Sequence, residues 1–221
     1  MSIACLIPAR GGSKGIPRKN LVDLCGHPLV WWTIEQAKAS HVGEVVLLSD
    51  DPEILAIGKR ANIHTIIEPD DIASDTVSME DVISYTFTQL TSSYLLVLQP
   101  SSPLKLSGHI EQAAVMMLQH PSVVSVVKST RCLWAPPFAL MPMDANGRRM
   151  RRQDWPKTFM ENGAIYGVTR NKYTGNRFIV PVGFLEMPEW TKYEIDTPED
   201  LGVIRGVLSA ILLNGGNGIT E

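Results

Sequence analysis

The chain has 221 residues, of which 44% are hydrophobic and 19% charged, and its formal net charge is −3. These values are typical of a globular protein with one buried core, and they argue against a general nucleic-acid binder, which needs a broad basic face. No apolar run approaches the ~20 residues that span a bilayer. Three scattered cysteines without CxxC spacing favour neither a disulfide framework nor a zinc site. We therefore expect a cytoplasmic protein, with a single domain over residues 1–221.

Short β-rich runs alternate with helical patterns along most of the chain. The predicted strands cover residues 3–7, 44–48, 65–67, 94–98, 123–127 and 163–168. The predicted helices cover residues 28–40, 51–61, 77–90, 107–119 and 198–212, with Asp51, Ser107 and Thr197 as N-caps. This alternation predicts an α/β fold of Rossmann-like type, with a mostly parallel sheet and helices on both faces.

The first predicted strand opens into a loop that reads LIPARGGSKGIPRKN over residues 6–20. Its glycines let backbone N–H groups approach an anion, and its cations offset negative charge. A dinucleotide fingerprint needs GxGxxG running into a helix, and a Walker A loop needs a lysine after its last glycine; the GGxxG spacing fits neither. The side chains of Arg10, Lys14 and Lys19 are therefore predicted to bind a polyphosphate directly.

Parallel sheets bind ligands at the carboxyl ends of their strands. The loops that follow the first four predicted strands, residues 8–20, 49–51, 68–76 and 99–104, hold most of the polar and charged candidates. Their clustering predicts one site at that edge of the sheet.

The alternation breaks over residues 133–160, which we predict to be an insertion or arm. Four prolines lie in this stretch, together with an Asn146–Gly147 turn signal. Arginines at 148, 149, 151 and 152 could form a nuclear-localisation or nucleic-acid patch, but the balanced overall charge favours contact with a substrate or an interface.

Six motifs, in order, resemble a known family. They are IPARGGSKGIPRKN at 7–20, ASDT at 73–76, LQPSSPL at 98–104, RRQDWP at 151–156, ENGAIY at 161–166 and EIDTPEDL at 194–201. The chain resembles the CMP-N-acetylneuraminic acid (sialic acid) synthetases, the acylneuraminate cytidylyltransferase family. CMP-Kdo synthetases are less similar, because their opening loop has a different pattern in place of GGSKG.

The resemblance implies a homodimer that uses the arm, and transfer of CMP from CTP to the anomeric hydroxyl of an acidic sugar with release of pyrophosphate. Negative charge accumulates on the phosphoryl groups in such a transfer, so catalysis depends mainly on positioned cations that stabilise this charge. The candidate catalytic residues are Arg10, Lys14 and Lys19. The candidate nucleotide-binding residues are Ala9, Gly11, Gly12, Ser13, Asn20 and Ser74. The candidate sugar-binding residues are Gln99, Arg152 and Asn162, of which Arg152 suits a planar carboxylate.

Glu194 and Asp196 are the candidate ligands for Mg²⁺ or Mn²⁺, because alternate residues of an extended segment project to the same side and carboxylate oxygens suit a hard cation. The same EIDTPED stretch could instead only start the last helix, and Gln99 and Asn162 could be buried amides that the backbone satisfies.

Three positions depart from the family pattern. Glu194 stands in place of an aspartate, Glu68 where sialate enzymes tend to have an arginine, and Met160 where a second arginine is often found. Two alternatives therefore stay open: a cytidylyltransferase for another acidic acceptor, such as a Kdo-like acid or a phosphonate, and a nucleotide-binding protein without turnover. No side chain is singled out as a general base, so a metal-bound hydroxide or metal coordination of the sugar hydroxyl would have to serve.

Overall fold

The structure is a computed structural model that describes residues 2–74, 76–129, 133–135, 138–140, 146, 148 and 150–213. The helices are α1 Leu29–Ser40, α2 Pro52–Arg60, α3 Met79–Gln89, α4 Ser107–Met116 and α5 Pro198–Leu213. The strands are β1 Ile3–Pro8, β2 Asp23–Leu24, β3 His27–Pro28, β4 Glu44–Ser49, β5 His64–Ile67, β6 Tyr94–Leu98, β7 Ser122–Ser129, β8 Leu133–Ala135, β9 Phe138–Leu140, β10 Thr158–Thr169 and β11 Val182–Met187.

Seven strands form the main sheet, in the order β11-β7-β10-β6-β1-β4-β5. Strand β10 runs antiparallel to β6 and β7, and the other pairs are parallel. The predicted Rossmann-like, mostly parallel sheet is therefore confirmed, with the six predicted strands in it. The sequence analysis missed β11, which pairs with β7 at one edge.

Helices pack on both faces of the sheet because the central strands carry apolar side chains on both faces. In β1, Cys5 and Ile7 pack in the core shared with α1, α2 and α4, whereas Ala4 and Leu6 pack in the core shared with α3. A strand buried on both faces reads as a continuous apolar run. Helix α5 packs in a third cluster, where Ile204 and Leu208 accompany Ile195.

Two of the three predicted helix caps are confirmed. The Asp51 carboxylate accepts hydrogen bonds from the backbone N–H groups of Glu53 (2.8 Å) and Ile54 (3.3 Å). At the start of α5, the Thr197 hydroxyl accepts from the Asp200 N–H at 3.2 Å, and Asp200 accepts from the Thr197 N–H at 2.8 Å. Ser107 is not a cap, because α4 already begins there and Leu106 holds the N-cap position.

Three further predictions concern membrane spans, the cysteines and the arm. No helix in the described ranges is long and apolar enough to cross a membrane. Cys5 and Cys25 are free thiols, and burial raises the pKa of Cys5 to about 12; Cys132 lies outside the described residues. Of the predicted arm, residues 136–137, 141–145, 147 and 149 also lie outside them, whereas the β8–β9 hairpin and residues 150–160 are described.

Candidate active site

The carboxyl ends of β1, β5 and β6 border a cavity of about 260 Å³. Four pieces of the chain line it: the opening loop (residues 8–20), residues 68–77, the first turn of α3, and residues 99–101. Three of the four predicted loops therefore line the cavity, whereas residues 49–51 do not line it and contact the opening loop instead. The cavity brings together the predicted site residues Arg10, Gly12, Ser13, Lys19, Asn20, Ser74 and Gln99.

The opening loop is held by contacts to its own backbone and to the loop after β4. The Asn20 side chain, only 8% exposed, donates to the carbonyl of Arg10 at 2.9 Å. The Gly11 N–H donates to the Asp50 carboxylate at 2.6 Å. Arg18 takes a left-handed conformation and pairs with Asp51 at 2.8 Å. These bonds fix the loop before any ligand arrives, which lowers the entropic cost of binding.

Three other loop candidates do not line the cavity. Ala9 is fully buried, and its N–H donates to the Leu48 carbonyl at 2.9 Å, so it ties the loop to β4. Gly11 lies so close to Asp51 that a Cβ would come within 2.9 Å of that side chain. Lys14 is exposed near the tip of the loop.

The opening loop also contacts the acidic segment (residues 193–197). Lys19 donates to the carbonyl of Ile195 at 2.7 Å and to the Asp196 carboxylate at 3.1 Å. Gly15 packs so tightly on the Asp196 carbonyl that a Cβ could not fit between them. The glycine-and-cation loop and the acidic pair, 176 residues apart between Lys19 and Ile195, therefore meet at one place.

The two carboxylates of the acidic segment have different surroundings. Asp196 is 71% exposed, whereas Glu194 is half-buried against Gly163, whose φ of +64° suits a residue without a side chain. Burial raises the pKa of Glu194, the charges of Asp196 and Glu161 add to the increase, and Lys19 opposes it. The segment belongs to no strand, so the expected strand-like alternation is not what brings the pair together.

The side of the cavity formed by residues 68–77 and α3 is largely apolar. Ile72, Val77 and Val82 line it. The Ser74 hydroxyl lies 3.0 Å from that of Thr76. Glu68 lies among these residues and is only 4% exposed. The apolar side chains suit the face of a nucleobase, and the cations of the opening loop suit the phosphates of a nucleotide.

The three sugar-binding candidates lie in different settings. Gln99 lines the cavity. Asn162 is fully buried and does not line it: its carbonyl oxygen accepts from Ser125 at 2.6 Å, and its amino group donates to Thr191 at 3.0 Å. The structure thus places Asn162 as a buried amide that other side chains satisfy. The side chain of Arg152 lies outside the described residues.

Comparison with known proteins accounts for this arrangement. The family model described as Cytidylyltransferase matches residues 4–215, nearly the whole chain. The chain belongs to the cytidylyltransferase family.

Two curated relatives show how close the match is. This cytidylyltransferase is 32% identical over 209 residues to N-acylneuraminate cytidylyltransferase B of Danio rerio, covering 89% of this chain and 49% of the relative. It is 30% identical over 217 residues to a pseudaminic acid cytidylyltransferase of Campylobacter jejuni, covering 91% and 94%. The chain thus spans about half the length of the fish relative and nearly all of the bacterial one.

Solved structures share the fold at lower identity. A CMP:2-keto-3-deoxy-manno-octonic acid synthetase complexed with CTP superposes with a TM-score of 0.73 at 19% identity, covering 95% of this chain and 99% of that one. A 4-diphosphocytidyl-2C-methyl-D-erythritol synthase from Anaerococcus prevotii gives 0.68 at 14% identity, covering 94% and 98%. At these identities the similarity establishes the fold.

The acidic pair fits a magnesium ion that arrives with a triphosphate. Within the described residues no three His, Cys, Asp or Glu side chains cluster as a closed metal site. Mg²⁺ commonly uses only one or two protein carboxylates and takes its other ligands from water and substrate phosphates. Glu194 and Asp196 can supply that number, and both are hard oxygen donors.

Sequence reasoning missed Lys105 of this cytidylyltransferase, which directly follows the LQPSSPL motif. Lys105 is fully buried and donates to Gln99 O (2.7 Å), Ser102 O (2.9 Å) and Thr33 Oγ1 (2.9 Å). Burial lowers its pKa to about 7. The lysine holds the turn that brings Gln99 to the cavity. The position of this lysine, directly after a motif at the end of a predicted strand, was the sequence signal that could have identified it.

Proposed function

We propose that this cytidylyltransferase transfers CMP from CTP to the anomeric hydroxyl of an acidic nonulosonate sugar of the sialic acid type and releases pyrophosphate. One observation supports this most directly: Lys19 lines the cavity and also contacts Asp196, so a candidate metal ligand lies next to the cavity and touches the opening loop. The relatives named for N-acylneuraminate and pseudaminic acid support the acceptor class.

In the proposed reaction, the anomeric oxygen attacks the α-phosphorus of CTP, the bond to the pyrophosphate oxygen breaks, and the proton of the hydroxyl passes to solvent water. Arg10, Lys14 and Lys19 stabilise the charge that develops on the transferred and leaving groups. Gly12 and Ser13, which line the cavity beside Arg10, offer backbone N–H groups to phosphate oxygens. A magnesium ion held by Glu194 and Asp196 would supply further positive charge to the triphosphate.

The acceptor is proposed to bind beside Gln99, the sugar-binding candidate that lines the cavity. Arg152 remains our candidate for the sugar carboxylate, on the ground that a guanidinium pairs with a planar anion through two parallel hydrogen bonds. For Asn162, whose polar atoms are already paired within the protein, we propose that any effect on the sugar passes through the position of β10.

The test is pyrophosphate release from CTP and magnesium with a panel of acceptors: sialic, pseudaminic, legionaminic and Kdo acids and a phosphonate. We expect release with a nonulosonate and none without acceptor. Release only with Kdo or the phosphonate would overturn the acceptor class, and CTP binding without release would overturn the enzymatic activity. In Lys14→Ala we expect turnover to fall more than the affinity for the acid, with Lys59→Ala on the exposed side of α2 as the matched control.

We further propose a homodimer, with the arm at residues 133–160 as part of the interface. Sedimentation over a concentration series tests this, because a monomer at all concentrations would exclude it.

A further inference from the structure

The cavity contains a buried acceptor that the proposed function leaves unused. Glu68 follows β5, and its backbone N–H donates to the Ser49 carbonyl at 2.9 Å, which fixes its position beside β4. The side chain lines the cavity and is 4% exposed. Within the described ranges its Oε2 has no hydrogen-bond partner. A buried carboxylate oxygen without a donor is unfavourable, so its presence in the cavity indicates a ligand that brings the donor.

The surroundings of Glu68 define what that ligand group must be. Ile72, Val77 and Val82 line the same cavity and suit the face of a planar base, while the phosphate-binding cations come from the opening loop. With the base and phosphates placed in this way, the polar edge of a pyrimidine base would face the Glu68 carboxylate. Cytosine presents an exocyclic amino group, which is a donor that carboxylates read in nucleic-acid recognition. Uracil presents a carbonyl oxygen in its place.

On the basis of the proposed function, we propose that Glu68 determines the base specificity of this enzyme: its carboxylate accepts a hydrogen bond from the exocyclic amino group of cytosine. With UTP, two acceptors face each other in a buried place, and neither can be satisfied. A site built around a particular donor rejects analogues that lack it far more strongly than a site that only offers shape.

The pH dependence of this preference follows from the groups around Glu68. Burial and the charge of Asp50 raise the pKa of Glu68 to about 7, and Arg10 opposes the increase. Lys19 is the other cation in the cavity lining, the residues of α3 that line it are apolar, and Asp70 and Asp71 of the following loop are exposed. Above pH 7 the ionised carboxylate selects cytosine. Below pH 7 the protonated carboxyl donates to the uracil carbonyl, so discrimination weakens.

The experiment compares kcat/KM for CTP and UTP at pH 6 and pH 8 in the wild type, Glu68→Gln and Asp71→Asn. Both nucleotides carry the same triphosphate, so their ratio cancels its titration. In the wild type and the Asp71→Asn control, we expect the CTP preference to be larger at pH 8. Glutamine offers both a donor and an acceptor. In Glu68→Gln the CTP preference at pH 8 should therefore fall by about tenfold or more, and the preference should no longer change between pH 6 and pH 8.

Two outcomes would overturn the inference. The first is an unchanged preference in Glu68→Gln that remains active with CTP. The second is a wild-type preference that does not change between pH 6 and pH 8, which needs no variant to fold. CTP and UTP binding without acceptor, measured by calorimetry, gives the ratio of the two dissociation constants, which reports base preference independently of turnover. If no acceptor releases pyrophosphate, the proposed function fails, and the binding ratio still decides the role of Glu68.

Discussion

Lys19 is a residue with two contacts that belong to different parts of the site. It is 18% exposed, and its ammonium group reaches both the Ile195 carbonyl and the Asp196 carboxylate. Asp196 itself is 71% exposed, and ion pairs with an exposed partner contribute little to stability. The position of Lys19 is thus better explained by electrostatic attraction to an anionic ligand than by the stability gained from the Lys19–Asp196 ion pair.

We predict that Lys19→Gln lowers turnover by about 100-fold or more, which is the size of effect seen when a preorganised group that stabilises transition-state charge is removed. The free energy of unfolding should change by no more than about 1 kcal/mol. Lys38→Gln is the control, since Lys38 pairs with Glu35 at 3.2 Å on α1, away from the site. Equal pyrophosphate release by the two variants would contradict the role of Lys19.

A second prediction concerns how much the buried Glu68 carboxylate destabilises the folded protein. Its pKa rises from 4.5 to about 7 on folding, so between these values the folded state holds a proton that the unfolded chain has released. Stability is therefore lost as the pH rises from about 4.5 to 7. Glu68→Gln lacks this loss and should be more stable than the wild type at pH 8, by at most about 3 kcal/mol.

The difference should vanish near pH 4, where the carboxyl is protonated in both states. Urea unfolding at pH 4, 6 and 8 measures it, with Asp71→Asn as a control that removes an exposed charge from the same loop. A Glu68→Gln variant that shows the wild-type pH dependence of stability would show that burial does not shift the pKa of this carboxyl.

At the scale of elements, the site depends on contact between the opening loop and the acidic segment, and Gly15 is at that contact. A Cβ there would collide with the carbonyl of Asp196, which is backbone and cannot turn aside. We predict that Gly15→Ala moves the acidic segment away from the loop and lowers kcat/KM by at least about tenfold. Gly202→Ala in α5 is the matched control, because a Cβ there meets nothing within 4 Å. Equal kcat/KM in the two variants would show that the contact does not matter for turnover.

How far the sequence predicts these elements depends on whether the signal is local. The loops after β1, β4, β5 and β6 could be grouped in advance because parallel strands share an edge. Strand β11 was missed because it pairs with β7, far away in the chain, and because Phe184, at an outward position, is apolar and 56% exposed, which obscures the alternation. The burial of Asn162, and the lack of a hydrogen-bond partner for Glu68 Oε2 among the described residues, depend on packing between distant elements, so no local sequence pattern predicts them.

At the scale of the whole molecule, binding of a triphosphate must overcome repulsion from a chain with a net charge of −3. The opening loop concentrates cations at the cavity, but Glu194 and Asp196 lie next to it and repel phosphate unless a metal ion neutralises them. Nucleotide and magnesium binding should therefore be coupled, with each raising the affinity for the other.

We predict that CTP with magnesium raises the melting temperature more than CTP with EDTA. A ligand at 100 times its Kd stabilises the folded state by about 2.7 kcal/mol, which corresponds to about 5–10 °C for a chain of this size. In Asp196→Asn the magnesium-dependent part should shrink, while the shift with CTP and EDTA should be equal to or larger than that of the wild type, because one repulsive charge is gone. Asp71→Asn, which removes an exposed charge distant in sequence from the acidic segment, should behave as the wild type. Equal shifts with magnesium and with EDTA in the wild type would show that the carboxylate pair does not bind the metal together with the nucleotide.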